Sequence, residues 1–138
     1  MVLLRFYVDT DYPAVEAVLK ETGLYIEPFD TRENFSSVIS QDPQAILVAE
    51  VEGAVVGMVI AVHSPYLSGI WHLCVSPAYQ HKGVGSQLLA QAEQTLAVRG
   101  AKTVSLYVKE DDAALQAYYT KAGYELWKHG IVYMSKRL

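Results

Sequence analysis

Two rhythms of apolar and polar positions run along this chain, and their changes divide it into elements. Residues 3–8 read as a strand. Tyr12–Glu21 reads as a helix, with Val15, Val18 and Leu19 on one face, Pro13 in the first turn and Gly23 as its stop. Asp30 and Glu33 have capping-box spacing ahead of a short helix that would bury Phe35, Val38 and Ile39. Residues 45–51 and 54–63 are β-rich runs joined at Glu52-Gly53 as a hairpin, and residues 69–75 form a further strand. Residues 85–99 return to helical spacing, with Leu88, Leu89, Ala92 and Leu96 on one face and Gly100 at the end. Residues 103–108 predict a strand and residues 112–122 a helix stopped by Gly123. Two closing strands, 124–128 and 131–136, would turn at His129-Gly130. The order β-α-α-β-β-β-α-β-α-β-β predicts an α/β fold: a mixed, mostly antiparallel central sheet of about seven strands flanked by four helices.

Composition narrows what such a fold would serve. A chain of 138 residues, 51% hydrophobic and 19% charged, has the size of one domain, here spanning residues 1–138. Its formal charge of −4 and scattered basic residues argue against a dedicated nucleic-acid binder, whose affinity would come mainly from neutralising phosphates. The mild acidity leaves room for cationic partners such as amines. Cys74 is the only cysteine, which rules out an internal disulfide and suggests a reducing compartment. The first five residues are too short an apolar stretch for a signal peptide, and the longest apolar run, 54–62, falls far short of a membrane span. A cytoplasmic domain with no membrane partner and no metal site is the expectation.

The candidate chemistry lies between Gly69 and Ser86, where a buried strand runs through a loop into a helix that begins with Gly83, Gly85 and Ser86. Glycines there let a ligand approach the backbone, and the N–H groups of a helix start favour an anion. His81 and Lys82 add charge nearby. Physics alone gives a phosphate or pyrophosphate site. The dinucleotide fingerprint fails, because Leu88 stands where Gly83-Val84-Gly85 would need glycine or alanine and the motif follows the fourth strand rather than opening the chain. The nucleotide P-loop fails too, because Lys82 precedes the glycines. A bare Gly-x-Gly also reads as a tight turn and nothing more.

The segment Gln80-His81-Lys82-Gly83-Val84-Gly85 is similar to the Gln/Arg-x-x-Gly-x-Gly/Ala motif of the GNAT superfamily of acetyl-CoA-dependent N-acetyltransferases. It follows Leu73-Cys74-Val75-Ser76-Pro77, which resembles that family's Leu-Ala-Val-x-Pro strand end. Tyr119 to Tyr124 resembles its Tyr-x-Lys-x-Gly-Phe ending, and the element order matches end to end. The resemblance implies the GNAT acyl-CoA N-acyltransferase fold, with acetyl-CoA as donor. Backbone amides of Gln80, His81, Lys82, Gly83, Val84, Gly85 and Ser86 would hold the CoA pyrophosphate. The backbone of Leu73, Cys74 and Val75 would pair with the pantetheine arm where the fourth and fifth strands splay. Asp112 stands where the family often has a CoA-contacting Asn; it keeps the capping role and loses the amide donor. Relatives are often dimers, so a homodimer belongs to the same expectation.

Acetyl transfer to an amine needs a neutral amine, a stabilised carbonyl oxygen and a proton for the leaving thiolate. Tyr119 resembles the family's thiolate-protonating tyrosine; packing the helix is the competing role for it, and Tyr118 is read as structural. No base stands out. Strand alternation puts Gly69, Trp71 and Leu73 on the face of Val75 and His72 on the other, so His72 reads as a core or helix-facing histidine unless a bulge resets the alternation. Glu27, Glu50 and Glu110 remain as carboxylates able to act through water, and Cys74 as a small buried residue. Trp71, Tyr107 and Glu27 are the expected acceptor contacts, giving aromatic walls and one acid to meet an ammonium. The acceptor is a small-molecule amine or a protein amine, attacked directly without a covalent enzyme intermediate. A CoA-binding sensor domain with the same fold and little turnover is the alternative.

Overall fold

A computed structural model of the chain describes residues 1–127 and 132–138. Its elements run β1 (Val2–Phe6), a 3₁₀ turn (Asp9–Asp11), α1 (Tyr12–Glu21), α2 (Arg32–Gln41), β2 (Ile46–Val51), β3 (Ala54–Val62) and β4 (Ser68–Val75), then a 3₁₀ turn (Pro77–Tyr79), α3 (Val84–Val98), β5 (Val104–Ser105) and α4 (Ala113–Lys121). The strands form one sheet in the order β1-β2-β3-β4-β5, antiparallel throughout except for the parallel β4–β5 pair. The chain divides into two compact units, Met1–Leu106 and Tyr107–Leu138.

Each helix of the first unit buries the face that its spacing dictates. Val15, Val18 and Leu19 of α1 and Phe35 of α2 join Ile46, Val48, Met58 and Cys74 in one core. Tyr7 and Tyr12 meet the Phe35 ring edge-on, with centroids 5.6 and 5.8 Å away. Gly57, next to Met58 on β3, points to the opposite face, where a Cβ would come within 3.0 Å of the Cys74 carbonyl and 3.2 Å of Leu88 Cδ1. Glycine here lets α3 lie close to the sheet, with Leu88, Leu89, Ala92 and Leu96 buried beneath it. The β2–β3 hairpin turns at Glu52 (φ 49°) and Gly53 (φ 81°), the paired positive angles of a type I′ turn.

The structure departs from the sequence pattern in three places. The sheet has five strands among the described residues rather than about seven. β5 keeps only two of the six residues expected to be extended, and neither residues 124–127 nor 132–136 form a strand. A β-rich run becomes a strand only where a neighbour supplies a ladder. The expected turn at His129-Gly130 lies outside the described residues. Finally, α2 is capped by Thr31, whose hydroxyl accepts from the Asn34 N–H at 3.2 Å, and not by Asp30, which is turned inward.

One ion pair ties β1 to the start of α1. The Arg5 guanidinium donates to both Asp11 oxygens at 2.8 Å and to Glu50 Oε1 at 3.2 Å, while Asp11 Oδ2 also accepts from the Val8 N–H. The Arg5 hydrogen bonds hold the Asp11 carboxyl below its usual range, outweighing the opposing effect of burial. Because this folded-state pKa is depressed, the stabilisation is present above the ordinary carboxylate titration, near about 4, and is lost as pH falls through the lower folded value. Urea unfolding across pH 2–7 should therefore show an acid-side loss of stability that Asp11→Asn flattens while lowering stability at neutral pH. An unchanged acid limb in the variant would assign that loss to other carboxylates.

Candidate functional site

The site is built on an irregular strand. Along β4, Cys74 pairs with Met58 and Trp71 with Ile60, so His72 and Leu73 together oppose the single residue Val59. This is a β-bulge, and His72 absorbs it with a left-handed backbone, φ 50°. The bulge resets the alternation expected from sequence. Trp71 shares the α1–α2 face with its partner Ile60, as Cys74 does with Met58, whereas Val75 lies opposite Gly57 on the α3 face. Trp71 and Val75 are thus on opposite faces, not the same one. β4 pairs with β5 only at Ser68↔Val104 and Gly69↔Ser105, so among the described residues the edge of β4 from Ile70 to Val75 has no strand beside it.

Beyond that open edge the chain runs through a short loop into the start of α3. The Gln80 side-chain amide donates to the Val75 carbonyl at 2.8 Å, closing the loop between β4 and α3. His81 (φ 62°) and Gly83 (φ 84°) both have left-handed backbones, the kind of turn in which successive N–H groups can meet an anion. The first hydrogen bond into α3 runs from the Gln87 N–H to the Gly83 carbonyl, and the Val84 and Gly85 N–H groups precede it, facing out of the helix start. A Cβ on Gly83 would meet nothing within 4 Å, so the approach is open. Ser86 lies in the same turn and is exposed, as are His81 and Lys82, whose ammonium sits 5.7 Å from the Tyr79 ring centroid. An extended edge of amides and carbonyls ending in an anion cradle suits a ligand with an amide-bearing arm and a pyrophosphate, as CoA has.

The second unit holds the remaining candidates. Asp112 caps α4, its carboxylate accepting from the Leu115 N–H at 3.0 Å. Tyr119 is buried, with edge-on ring contacts to Tyr118 at 5.2 Å and Tyr124 at 5.6 Å. Tyr107 is exposed and packs at 5.5 Å against Tyr133.

Of the expected acceptor contacts in the first unit, Glu27 is exposed on the α1–α2 connection and Trp71 is 42% exposed on β4. Leu24, Ile26 and Phe29 of that connection are also exposed. Cys74 is buried, and burial pushes its thiol up to about 12, so it is no nucleophile at neutral pH. Two features were missed from sequence. Asp30 is not a cap but a buried carboxylate, 1% exposed, that accepts from the Ile26 N–H at 2.8 Å and faces His72 Nε2 at 2.9 Å. Nothing local announces a pair 42 residues apart. Gln80 closing on Val75 lies inside the motif and only its spacing hinted at it.

These features meet in one family. The model of the acetyltransferase (GNAT) family matches residues 6–124, and the chain belongs to that family. It is 29% identical over 122 residues to a protein from Pectobacterium atrosepticum described as an acetyltransferase, covering 88% of this chain and 86% of that one. The PaiA N-acetyltransferase of Thermoplasma acidophilum, solved in complex with coenzyme A, superposes with a TM-score of 0.81 at 22% identity, covering 94% of this chain and 93% of the other. The ribosomal-protein-S18-alanine N-acetyltransferase of Escherichia coli superposes with a TM-score of 0.71 at 23% identity, covering 89% and 77%.

CoA should raise the melting temperature, since a ligand held only by the folded state stabilises it by mass action. Gly83→Val should abolish that shift, because a β-branched residue does not adopt the left-handed angle at which Gly83 opens the cradle. A scan in which NADH or ATP stabilises the protein and CoA does not would remove CoA from this site.

Proposed function

We propose that this chain transfers the acetyl group of acetyl-CoA to a primary amine by direct attack, without a covalent enzyme intermediate. The observation that carries this reading is the open edge of β4 running into the cradle at the start of α3. In this reading the backbone of Leu73, Cys74 and Val75 pairs with the pantetheine arm. The loop from Gln80 through His81 and Lys82 to Gly83, with the N–H groups of Val84, Gly85 and Ser86, takes the pyrophosphate. Asp112 supplies no amide to the coenzyme and acts through the helix it caps. An N-linked acceptor agrees with the N-acetyltransferase names of the two structural neighbours. Residues 1–138 act as one catalytic domain, working in the cytoplasm.

Tyr119 is assigned from its place in the motif as the donor that protonates the departing thiolate. Its ring is held by Tyr118 and Tyr124, so Tyr119→Phe should keep both packing and CoA affinity. With the proton donor gone, turnover should fall by about 10²- to 10⁴-fold. An unchanged kcat under conditions where chemistry limits the rate would leave Tyr119 as a packing residue.

The acceptor is an amine with an apolar or ring-bearing body. Trp71 and Tyr107 supply aromatic surface for it, Leu24, Ile26 and Phe29 further apolar surface, and Glu27 meets the ammonium on entry. An acceptor screen that follows CoA release should favour aromatic and aliphatic primary amines, and Trp71→Ala and Tyr107→Ala should weaken amine use without changing CoA binding. Better turnover with polyamines or aminoglycosides would overturn this assignment.

A further inference from the structure

The contact between β4 and the α1–α2 connection is chemically richer than a stitch between two elements. Asp30 is 1% exposed and fixed from several sides. Its N–H donates to the Ile26 carbonyl at 2.9 Å, its carbonyl accepts from the Tyr12 hydroxyl at 2.7 Å, and its Oδ2 accepts from the Ile26 N–H at 2.8 Å. The remaining partner of that oxygen is His72 Nε2 at 2.9 Å. With a carboxylate oxygen as acceptor, Nε2 supplies the hydrogen of this bond, and in the neutral form of the imidazole Nδ1 keeps its lone pair. Among the described residues Nδ1 has no hydrogen-bond partner, and the His72 side chain is 18% exposed. A buried carboxylate thus fixes the tautomer of an accessible imidazole, the arrangement by which proteins make a general base.

Position strengthens the chemistry. His72 sits at the bulge, in a left-handed conformation that costs free energy for a residue with a Cβ, and such strain collects at functional sites. The bulge lies on the stretch of β4 whose outer edge has no strand beside it among the described residues. Two neighbours of Asp30, the Tyr12 phenol and the Cys74 thiol, stay protonated at neutral pH. The Tyr12 phenol is pushed up by burial and by Glu16 and Tyr25, and the Cys74 thiol is pushed up by burial.

We propose that His72 and Asp30 form a proton-accepting pair, in which Asp30 positions the imidazole and His72 Nδ1 takes the proton of the acceptor amine as it attacks the thioester. This rests on the acetyl-transfer reading above. The amine nitrogen bonds to the carbonyl carbon, and the carbon–sulfur bond breaks with its electron pair going to sulfur. The amine proton passes to Nδ1 and from there to solvent, and the thiolate is protonated by the donor of that reading.

Two variants suit the left-handed backbone at this position, His72→Asn and His72→Gly. Both should retain the thermal shift given by CoA while losing about 10²-fold or more in kcat with 2-phenylethylamine or alaninamide as acceptor. Added imidazole should restore much of the His72→Gly loss without altering the KM for acetyl-CoA. Asp30→Asn should lower kcat and disturb the tautomer. Nitrogen-15 NMR of the wild-type protein with CoA bound should show hydrogen on Nε2 and a bare Nδ1. Unchanged kcat in His72→Asn, a loss that imidazole does not rescue in a folded His72→Gly, or hydrogen found on Nδ1 would each overturn the pair. Failure of the wild type to release CoA with any amine would instead strike the acetyl-transfer reading, and the tautomer measurement would still decide the pair by itself.

Discussion

An antiparallel ladder pairs residues one for one, and β3 and β4 break that rule once, where Val59 faces both His72 and Leu73. The extra residue has consequences in every direction. A bulged strand bends and twists more strongly than its neighbours; β4 pairs with β5 over two residue pairs only, and among the described residues no strand lies along its edge from Ile70 onward. The same extra residue moves Trp71 to the face of Cys74 and turns His72 toward the α1–α2 connection. Had the ladder stayed regular, Trp71 and Val75 would share one face of the sheet.

Around that irregularity the first unit is tightly tied down. Met58 and Cys74 bury the inner end of β4 beneath α1, while Gly57 lets α3 close over the other face. The α1–α2 connection has several exposed apolar residues yet is pinned at Asp30, whose backbone and side chain are both hydrogen-bonded. Rigid support beneath an exposed surface is what a site needs if small displacements are to matter for chemistry.

Much of this was legible in the sequence, because much of it is local. The limits of α1, the β2–β3 hairpin and the helical face of α3 follow from residue spacing, and Asp112 was readable as a cap from its position. The glycine turn announced an anion site, and its flanks announced the family. What escaped depends on distant pairing. Whether residues 103–108 extend as a strand depends on the path of β4, which their own side chains do not encode. The faces of Trp71 and Val75 depend on the bulge opposite Val59, and a period-two reading cannot register an added residue. Asp30 satisfied a local capping rule as well as Thr31 did, and burial against His72 decided between them.

The burial of Cys74 has a consequence for how this protein can be studied. It is the sole thiol of the chain, sits in the core at 5% exposure, and is held protonated by that burial. A reagent that colours on meeting a free thiolate is therefore blind to the folded first unit and sees CoA as it is released. The same reagent reaches Cys74 only when β4 and α1 separate, so its slow reaction in the absence of any coenzyme clocks the opening of the core.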